Sequence, residues 1–359
     1  LIVTDSSAKY LLDTIVAANV MHSLKVYSDQ AKFNITTIDG ISPNATRMVQ
    51  TFYQVLPDHW NINQSAFTSF RDPDTSGRVH GTVTFYNIPS NASLDMFDIG
   101  NASSASFDGS LNLTEQYYAK IPYHASLLFP REKLYRIYDA NRTVDSVDLS
   151  RMDTALTHTY QKSTPLSITF EEITIFERKD DLSSAVRFWN SFSPAVSPDY
   201  DVIYPSKGSQ QFMVDFYAVD GKGNSSYTTQ FSDTLQSKLD FIDPSYYNIN
   251  MKDSLHFNIS FPKTLPSYYD IQLGADHLRW RIYLPPAKNS FDAGENLVDL
   301  SKSITLKGMD NSKLQFGSLL LANGDNMNYA DFYNYIFASD YPLKNRFREW
   351  QYCLIEKLK

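Results

Sequence analysis

Seven histidines, His22, His59, His80, His124, His158, His256 and His277, are the side chains best suited to bind a metal or move a proton near neutral pH. No two fall at a ligand spacing of a helix or strand, so the sequence predicts no zinc site. His256 lies on the polar side of an alternating segment and reads as a solvated or interface histidine. Asp276-His277 pairs a carboxylate with an imidazole, yet no Gly-x-Ser-x-Gly elbow accompanies it. Glu171-Glu172 resembles an acid/base pair, but neighbours in a strand point to opposite faces. Asp72-Pro-Asp74-Thr-Ser76-Gly77 copies the first half of a calcium loop, and Val83 stands where the closing acid belongs. Cys353 is the only cysteine, which excludes an intrachain disulfide and any multi-cysteine metal site. It reads as a packed helical residue. The expectation is therefore no catalytic, cofactor-binding or metal residues, no cofactor, and a protein that is not an enzyme.

One modification chemistry is written densely. Nine Asn-x-Ser/Thr sequons occur, at Asn34, Asn44, Asn63, Asn91, Asn101, Asn112, Asn141, Asn224 and Asn258. They are the chief support for a secreted or luminal glycoprotein. The competing reading, sequons arising by chance in a chain rich in Asn, Ser and Thr, weighs somewhat more, because Asn258 falls mid-strand between Phe257 and Ile259, a poor place for a glycan in a packed assembly.

The elements that would carry these residues are clearest between Leu166 and Phe261. Leu166-Ser-Ile168-Thr-Phe170 alternates, Glu171-Glu172 interrupts, and Ile173-Thr-Ile175-Phe176 resumes on the other parity, which predicts a bulge near Glu172. Asp180-Asp181 followed by Leu182, Val186 and Trp189 predicts a short helix over 181–192. Phe212, Val214, Phe216 and Ala218 share one face of a long strand that ends in the turn 220–224, with Tyr227–Phe231 returning. Leu239 and Phe241 mark a short strand. Leu255, Phe257, Ile259 and Phe261 alternate with His256, Asn258 and Ser260, predicting an inward and an outward face.

This order of elements, 167–176, 181–192, 211–220 with Gly221, 231–241 and 255–261, resembles the β-sandwich module of tail-tube and baseplate tube-initiator proteins of contractile-tailed bacteriophages. The resemblance extends upstream to Leu127. It implies a mainly β (α+β) fold with a tail-tube-like β-sandwich and a short packed helix, flanked by α/β segments. It also implies a structural virion protein in which hexameric rings stack into a DNA conduit. Its partners would be further copies, sheath or baseplate proteins, and passing DNA without sequence-specific binding.

Composition bounds the rest. At 359 residues, 42% hydrophobic, with 24 Tyr and 23 Phe, the chain is globular and rich in strand formers. A net charge of −8 argues against tight binding to a phosphate backbone. No apolar run reaches the roughly 18 residues of a membrane span, and no signal peptide is visible. Further helices are expected over 6–24, 46–56 and 343–358, and strands over 24–27 or 33–37, 78–86, 127–129, 278–284, 304–306 and 314–316. The Ser/Asn/Asp/Gly-rich stretch 87–112 reads as an exposed linker, and 145–164 as a polar excursion. The expected division is an N-terminal α+β segment 1–112, the tube-like module 113–265, and a C-terminal β extension 266–359 closed by an amphipathic helix. Two functions follow: a tail-tube or baseplate component of the virion, or a secreted, N-glycosylated β-sandwich binding protein.

Overall fold

A computed structural model describes the chain outside residues 18–21, 40–45, 57–59, 61–76, 93–97, 101–103, 108–112, 164–167, 179–185, 194–198, 208–210, 241, 243–246, 253–256, 262–264, 287–290, 293–297, 308, 325–326, 338–348 and 356–359. The fold is mainly β. It divides into two compact units, which cut across the three expected segments. One comprises residues 1–69, 222–226 and 242–359; the other comprises 70–221 and 227–241.

In the first unit a large sheet runs in the order 349–355, 315–324, 268–275, 278–284, 47–55, 33–39, 2–5, 10–13. Neighbours are antiparallel except Leu278–Leu284 and Arg47–Val55, which run parallel. Both faces are buried. Val49, Tyr53, Leu273, Trp280, Ile282, Leu319 and Leu321 share a core with Phe257, Ile259 and Phe261, the latter three carried on or beside a three-stranded sheet. Ile35, Phe52, Val55, Tyr268 and Tyr283 pack instead with the helix Tyr329–Phe337. Polar groups inside these layers are paired. Thr36 and Thr51 hydroxyls meet at 2.9 Å, and the Trp280 indole N–H donates to Thr51 at 2.9 Å. Asp270 accepts both Nε and Nη2 of Arg281 at 2.8 Å.

The second unit contains two sandwiches. In the first, the sheet 153–154, 134–140, 123–129, 98–100 faces the sheet 144–148, 79–86, 113–119, 104–107. Val83, Phe85, Leu113 and Tyr117 meet Leu127, Phe129 and Tyr138 between them. In the second, the sheet order 186–193, 168–178, 211–220, 225–232 is accompanied by 199–204, 156–163, 238–240. Tyr160 and Val202 close over Phe212, Val214, Phe216 and Ala218.

Several expectations hold. The strands at 33–39, 79–86, 123–129, 211–220, 257–260 and 278–284 form. Phe257, Ile259 and Phe261 are buried while Asn258 is exposed; Leu255 and His256 lie outside the described residues. Ser225–Ser232 returns from the turn after Asp220, and Lys238–Asp240 is the short strand expected near Leu239.

The helices do not hold. Asp5, expected to cap a helix over 6–24, accepts from the Ser7 amide, the Ser7 hydroxyl and the Lys9 amide. It thereby fixes a turn in which Ala8 has φ 62°, and the chain reverses from strand Ile2–Asp5 into strand Tyr10–Asp13. The stretch 46–56 is the strand Arg47–Val55. Phe52 and Val55 mimicked a helical stripe because Tyr53 and Gln54 bulge opposite Asn34, with Gln54 at φ 57°. Val186–Ser193 is a strand antiparallel to Ile168–Arg178, so the helix of the tube-like module is not found where it was expected; 179–185 lie outside the described residues. Glu349–Ile355 pairs with 319–324 as a strand, while Pro342, Leu343, Phe347 and Leu358 fall outside the described residues.

The remaining differences concern segments judged too polar or too apolar. The pairing of Ile168–Arg178 runs unbroken through Glu171-Glu172. Its irregularities fall between Ile168 and Phe170 and between Ile175 and Phe176. The expected linker 87–112 contains strands Asp98–Gly100 and Ser104–Phe107, and the expected excursion 145–164 contains Val144–Asp148 and Leu156–Ser163. Both are edge or exposed strands, where one face needs no apolar residue. Residues 304–306 form bends rather than a strand.

Candidate recognition groove

Strands Tyr268–Ala275 and Leu278–Leu284 form a hairpin whose tip is Asp276-His277, with His277 at φ 57°. Beside this tip, in the first unit, lies a groove of about 850 Å³ lined by Gln272, 274–276, Leu278 and Arg279 on one segment and by Met309, Asp310, Lys313 and 315–317 on another. Local sequence shapes it. Gly274 stands opposite Arg279, and a Cβ there would come within 3.2 Å of the Arg279 guanidinium. A Cβ on Gly317 would stand 3.2 Å from the Gln272 carbonyl oxygen. Glycine at both positions leaves room for close approach. Arg279 lines the groove and donates to the Ala275 and Leu278 carbonyls at 3.4 and 3.2 Å.

The opposite wall comes from the 3-10 turn Asn311–Lys313. Asp310 caps it, accepting from the Ser312 hydroxyl at 2.6 Å and the Ser312 amide at 3.0 Å. Those bonds hold the carboxyl below the usual carboxylate range, so it is ionised at neutral pH. Met309 and Phe316 are half-buried apolar contributions; Arg279, Lys313, Asp276 and Asp310 are exposed. A concave surface with an apolar floor and a few convergent charges is the usual form of a ligand site.

Two residues inward on the same strand face lies the Asp270–Arg281 pair. Asp270 is buried and Arg281 lies over the Tyr283 ring, 5.0 Å from its centre. Burial pushes the Asp270 carboxyl up while Arg281 opposes the shift. Burial disfavours the guanidinium charge too, but the Asp270 charge outweighs it and keeps Arg281 protonated, so the pair is ionic. It anchors the hairpin that carries Arg279.

A second polar cluster sits in the first sandwich of the other unit. Glu115 is fully buried, and Tyr123 and Tyr138, from the facing sheet, each donate a phenol hydroxyl to one of its oxygens. Tyr117 stacks on Tyr123 at 4.1 Å and donates to the Arg142 carbonyl at 2.9 Å. Burial raises the Glu115 carboxyl, and the phenols work against that shift. The site is sealed, so it acts as a polar rivet between sheets.

No family model matches the chain, and no curated protein matches it. A solved structure of the chicken CNTN1 FN1-FN3 domains is similar over 63% of this chain and 79% of its own, at 13% identity and a TM-score of 0.16.

The histidines are dispersed. The His80 ring meets the Tyr118 ring at a tilt, centroids 4.6 Å apart, His124 Nδ1 contacts Asp139 at 2.7 Å, and His158 Nε2 contacts the Gln236 carbonyl at 2.7 Å. His22 and His277 are exposed; His59 and His256 lie outside the described residues. Among the described residues no cluster of three metal-ligating side chains forms. Cys353 is buried in a strand rather than a helix, and the Ser226 hydroxyl donates to its sulfur at 3.7 Å. Of the loop 72–77 only Gly77 is described, at φ 76°. Sequence reasoning missed the groove; its one local signal was glycine inside two strands.

Proposed function

We propose that the protein is a secreted β-sandwich binding protein that takes an extended peptide segment of mixed charge into the groove beside the 276–277 turn. The observation that carries this reading is the disposition of Arg279 and Lys313 with Asp276 and Asp310 around an apolar floor of Met309 and Phe316. Two cations and two acids match a ligand bearing both signs. Gln272 and Gln315 supply amides suited to a peptide backbone. No helix among the described residues is long and apolar enough to cross a membrane.

The test is an array of mixed-charge peptides probed with the purified protein and with the double variant R279A/K313A. Both substituted side chains are exposed, so the variant should keep its fold. Binding to a subset of peptides, weakened at least tenfold in the variant, supports the reading. Equal binding by both proteins, or no binding at all, overturns it.

A ring-forming virion component is the second reading. What supports it is the hairpin formed by Gln211–Asp220 and Ser225–Ser232, at the place where the resemblance to the tube-like module expects a long strand and its turn. The edge strand Tyr10–Asp13 offers backbone groups to another chain. Sedimentation distinguishes the two: hexamers or tubes at high concentration support the ring, and a monomer that binds peptide supports the groove.

A further inference from the structure

We infer that the folded protein carries N-linked glycans at Asn91, Asn141 and Asn258, and that the sequons at Asn34 and Asn224 stay bare. The inference rests on the secreted reading and adds to it which surfaces are sheathed in sugar.

The chemistry decides between the sites. In N-glycosylation the amide Nδ2 forms a bond to the anomeric carbon of an oligosaccharide carried on a lipid pyrophosphate. The carbon–oxygen bond to the pyrophosphate breaks, its electron pair leaves with the lipid pyrophosphate, and Nδ2 gives up one of its two protons. The glycosylated amide therefore keeps a single N–H and must project into open space.

Asn34 cannot meet either condition. It is 2% exposed, and its Nδ2 donates both to the Thr4 hydroxyl at 3.1 Å and to the Asp5 carbonyl at 2.9 Å. Its Oδ1 accepts the Gln54 amide at 3.0 Å, so the whole carboxamide is locked into the bulge of strands 33–39 and 47–55. Exchanging one proton for a sugar removes a buried hydrogen bond and forces a saccharide between strands. Asn224 is only 9% exposed, where the hairpin turn joins its returning strand.

The asparagines of three other sequons are exposed, although Ser93 of the Asn91 sequon lies outside the described residues. Asn141 begins the exposed turn between strands Leu134–Ala140 and Val144–Asp148. Its Nδ2 makes one bond, 3.3 Å to the Asp139 carbonyl, which the single remaining N–H can keep. Thr143, the third sequon residue, is exposed too. Asn91 lies in an exposed turn closed by the Ala92 amide on the Pro89 carbonyl at 2.9 Å. Asn258 sits mid-strand, yet it points away from the core between buried Phe257 and Ile259, across from exposed Asn250. A packed assembly surface there would leave no room for a glycan, so occupancy at Asn258 also bears on the ring reading.

The experiment is site-by-site occupancy of the full chain, secreted from eukaryotic cells behind a cleavable signal. Enzymatic deglycosylation in ¹⁸O-water and peptide mass mapping read each asparagine. Occupancy at Asn91, Asn141 and Asn258, with Asn34 and Asn224 unmodified, is the expected result. The variants N141Q and N258Q should each lose one glycan's mass while secretion continues. A glycan on Asn34 or Asn224 in the folded, secreted protein overturns the inference, and so do bare asparagines at the three open sites. Peptide-array binding is read on the same preparation, so loss of the groove reading and loss of the glycan pattern are separate results.

Discussion

The Glu115 rivet makes unit 70–221/227–241 sensitive to pH in a direction opposite to ordinary acid unfolding. Glu115 has no exposed surface, and its folded carboxyl is held above the ordinary glutamate value by burial, with the Tyr123 and Tyr138 hydroxyls opposing the shift. A raised folded value means that the native state keeps a proton the unfolded chain releases. The stabilisation is fully present below about pH 4.5 and is lost as pH rises through the raised value, at a slope of up to about 1.4 kcal/mol per pH unit. Asp215 in the same unit is raised by burial, against the Thr229 hydroxyl, and tilts stability the same way. The contribution of Glu115 is therefore read as a difference between wild type and E115Q. Glutamine fills the same volume without ionising, and at pH 4 it should cost only about 1 kcal/mol, for one phenol forced to change partner. That deficit should shrink or reverse as pH rises to 8. E115A removes both acceptors. Two buried phenols each losing their Glu115 acceptor, at about 1–3 kcal/mol per bond, predict a loss of about 2–6 kcal/mol. Urea unfolding at several pH values, followed by tyrosine fluorescence, measures all three proteins. A wild-type-minus-E115Q difference that is flat with pH, or an E115A loss under 0.5 kcal/mol, would refute the reasoning.

Other substitutions probe the remaining supports. Gly81 faces Tyr117 across two strands, and a Cβ there would stand inside the tyrosine ring. G81A should cost about 1–3 kcal/mol by overpacking, much of it relieved in G81A/Y117L, as denaturant midpoints would show. D270A leaves the partly exposed Arg281 without its bidentate partner and should cost about 1.5–3 kcal/mol, whereas D270L/R281M should cost much less; equal losses in thermal denaturation would discredit the pairing argument. Asn328 and Asp331 exchange side-chain-to-backbone bonds at 3.1 and 3.0 Å at the start of the helix Tyr329–Phe337. N328A should destabilise the protein by about 1 kcal/mol, and faster amide exchange in the helix's first turn locates the loss.

What was legible in the sequence follows the number of buried faces. Gln211–Asp220 buries Phe212, Val214, Phe216 and Ala218 fully while Met213, Asp215 and Tyr217 are only partly buried, so its alternation is readable. Arg47–Val55 buries both faces, so Val49, Phe52, Tyr53 and Val55 do not alternate, and the spacing of Met48, Phe52 and Val55 predicts a helix instead. Glu349–Ile355 was misread in the same way: Trp350 and Leu354 fall four apart in a strand paired with 319–324. The one long helix among the described residues was missed although its signal was present, because Asn328-x-x-Asp331 is a capping box written with Asn and Asp in place of Ser and Glu. The groove escaped because Arg279 and Lys313 are ordinary surface cations until the hairpin and the 3-10 turn bring them together.

Burial on both faces of the large sheet also changes how its strands find their alignment. In a sheet with one wet face, slipping a strand by one residue exposes the core and is forbidden at once. Between two apolar layers, such a slip exchanges one greasy surface for another, and the hydrophobic effect hardly objects. Choosing among alignments falls to the few polar groups that can be satisfied in only one. Moving Arg47–Val55 by one position strands the Trp280 indole without Thr51 and parts Thr36 from Thr51. Moving Tyr268–Ala275 separates Asp270 from Arg281 and leaves the buried Asp270 carboxylate without its bidentate partner. These pairs are the alignment keys of the sheet. Replacing them with well-packed hydrophobic residues should yield a protein that is still compact and β-rich but no longer settles on a single register.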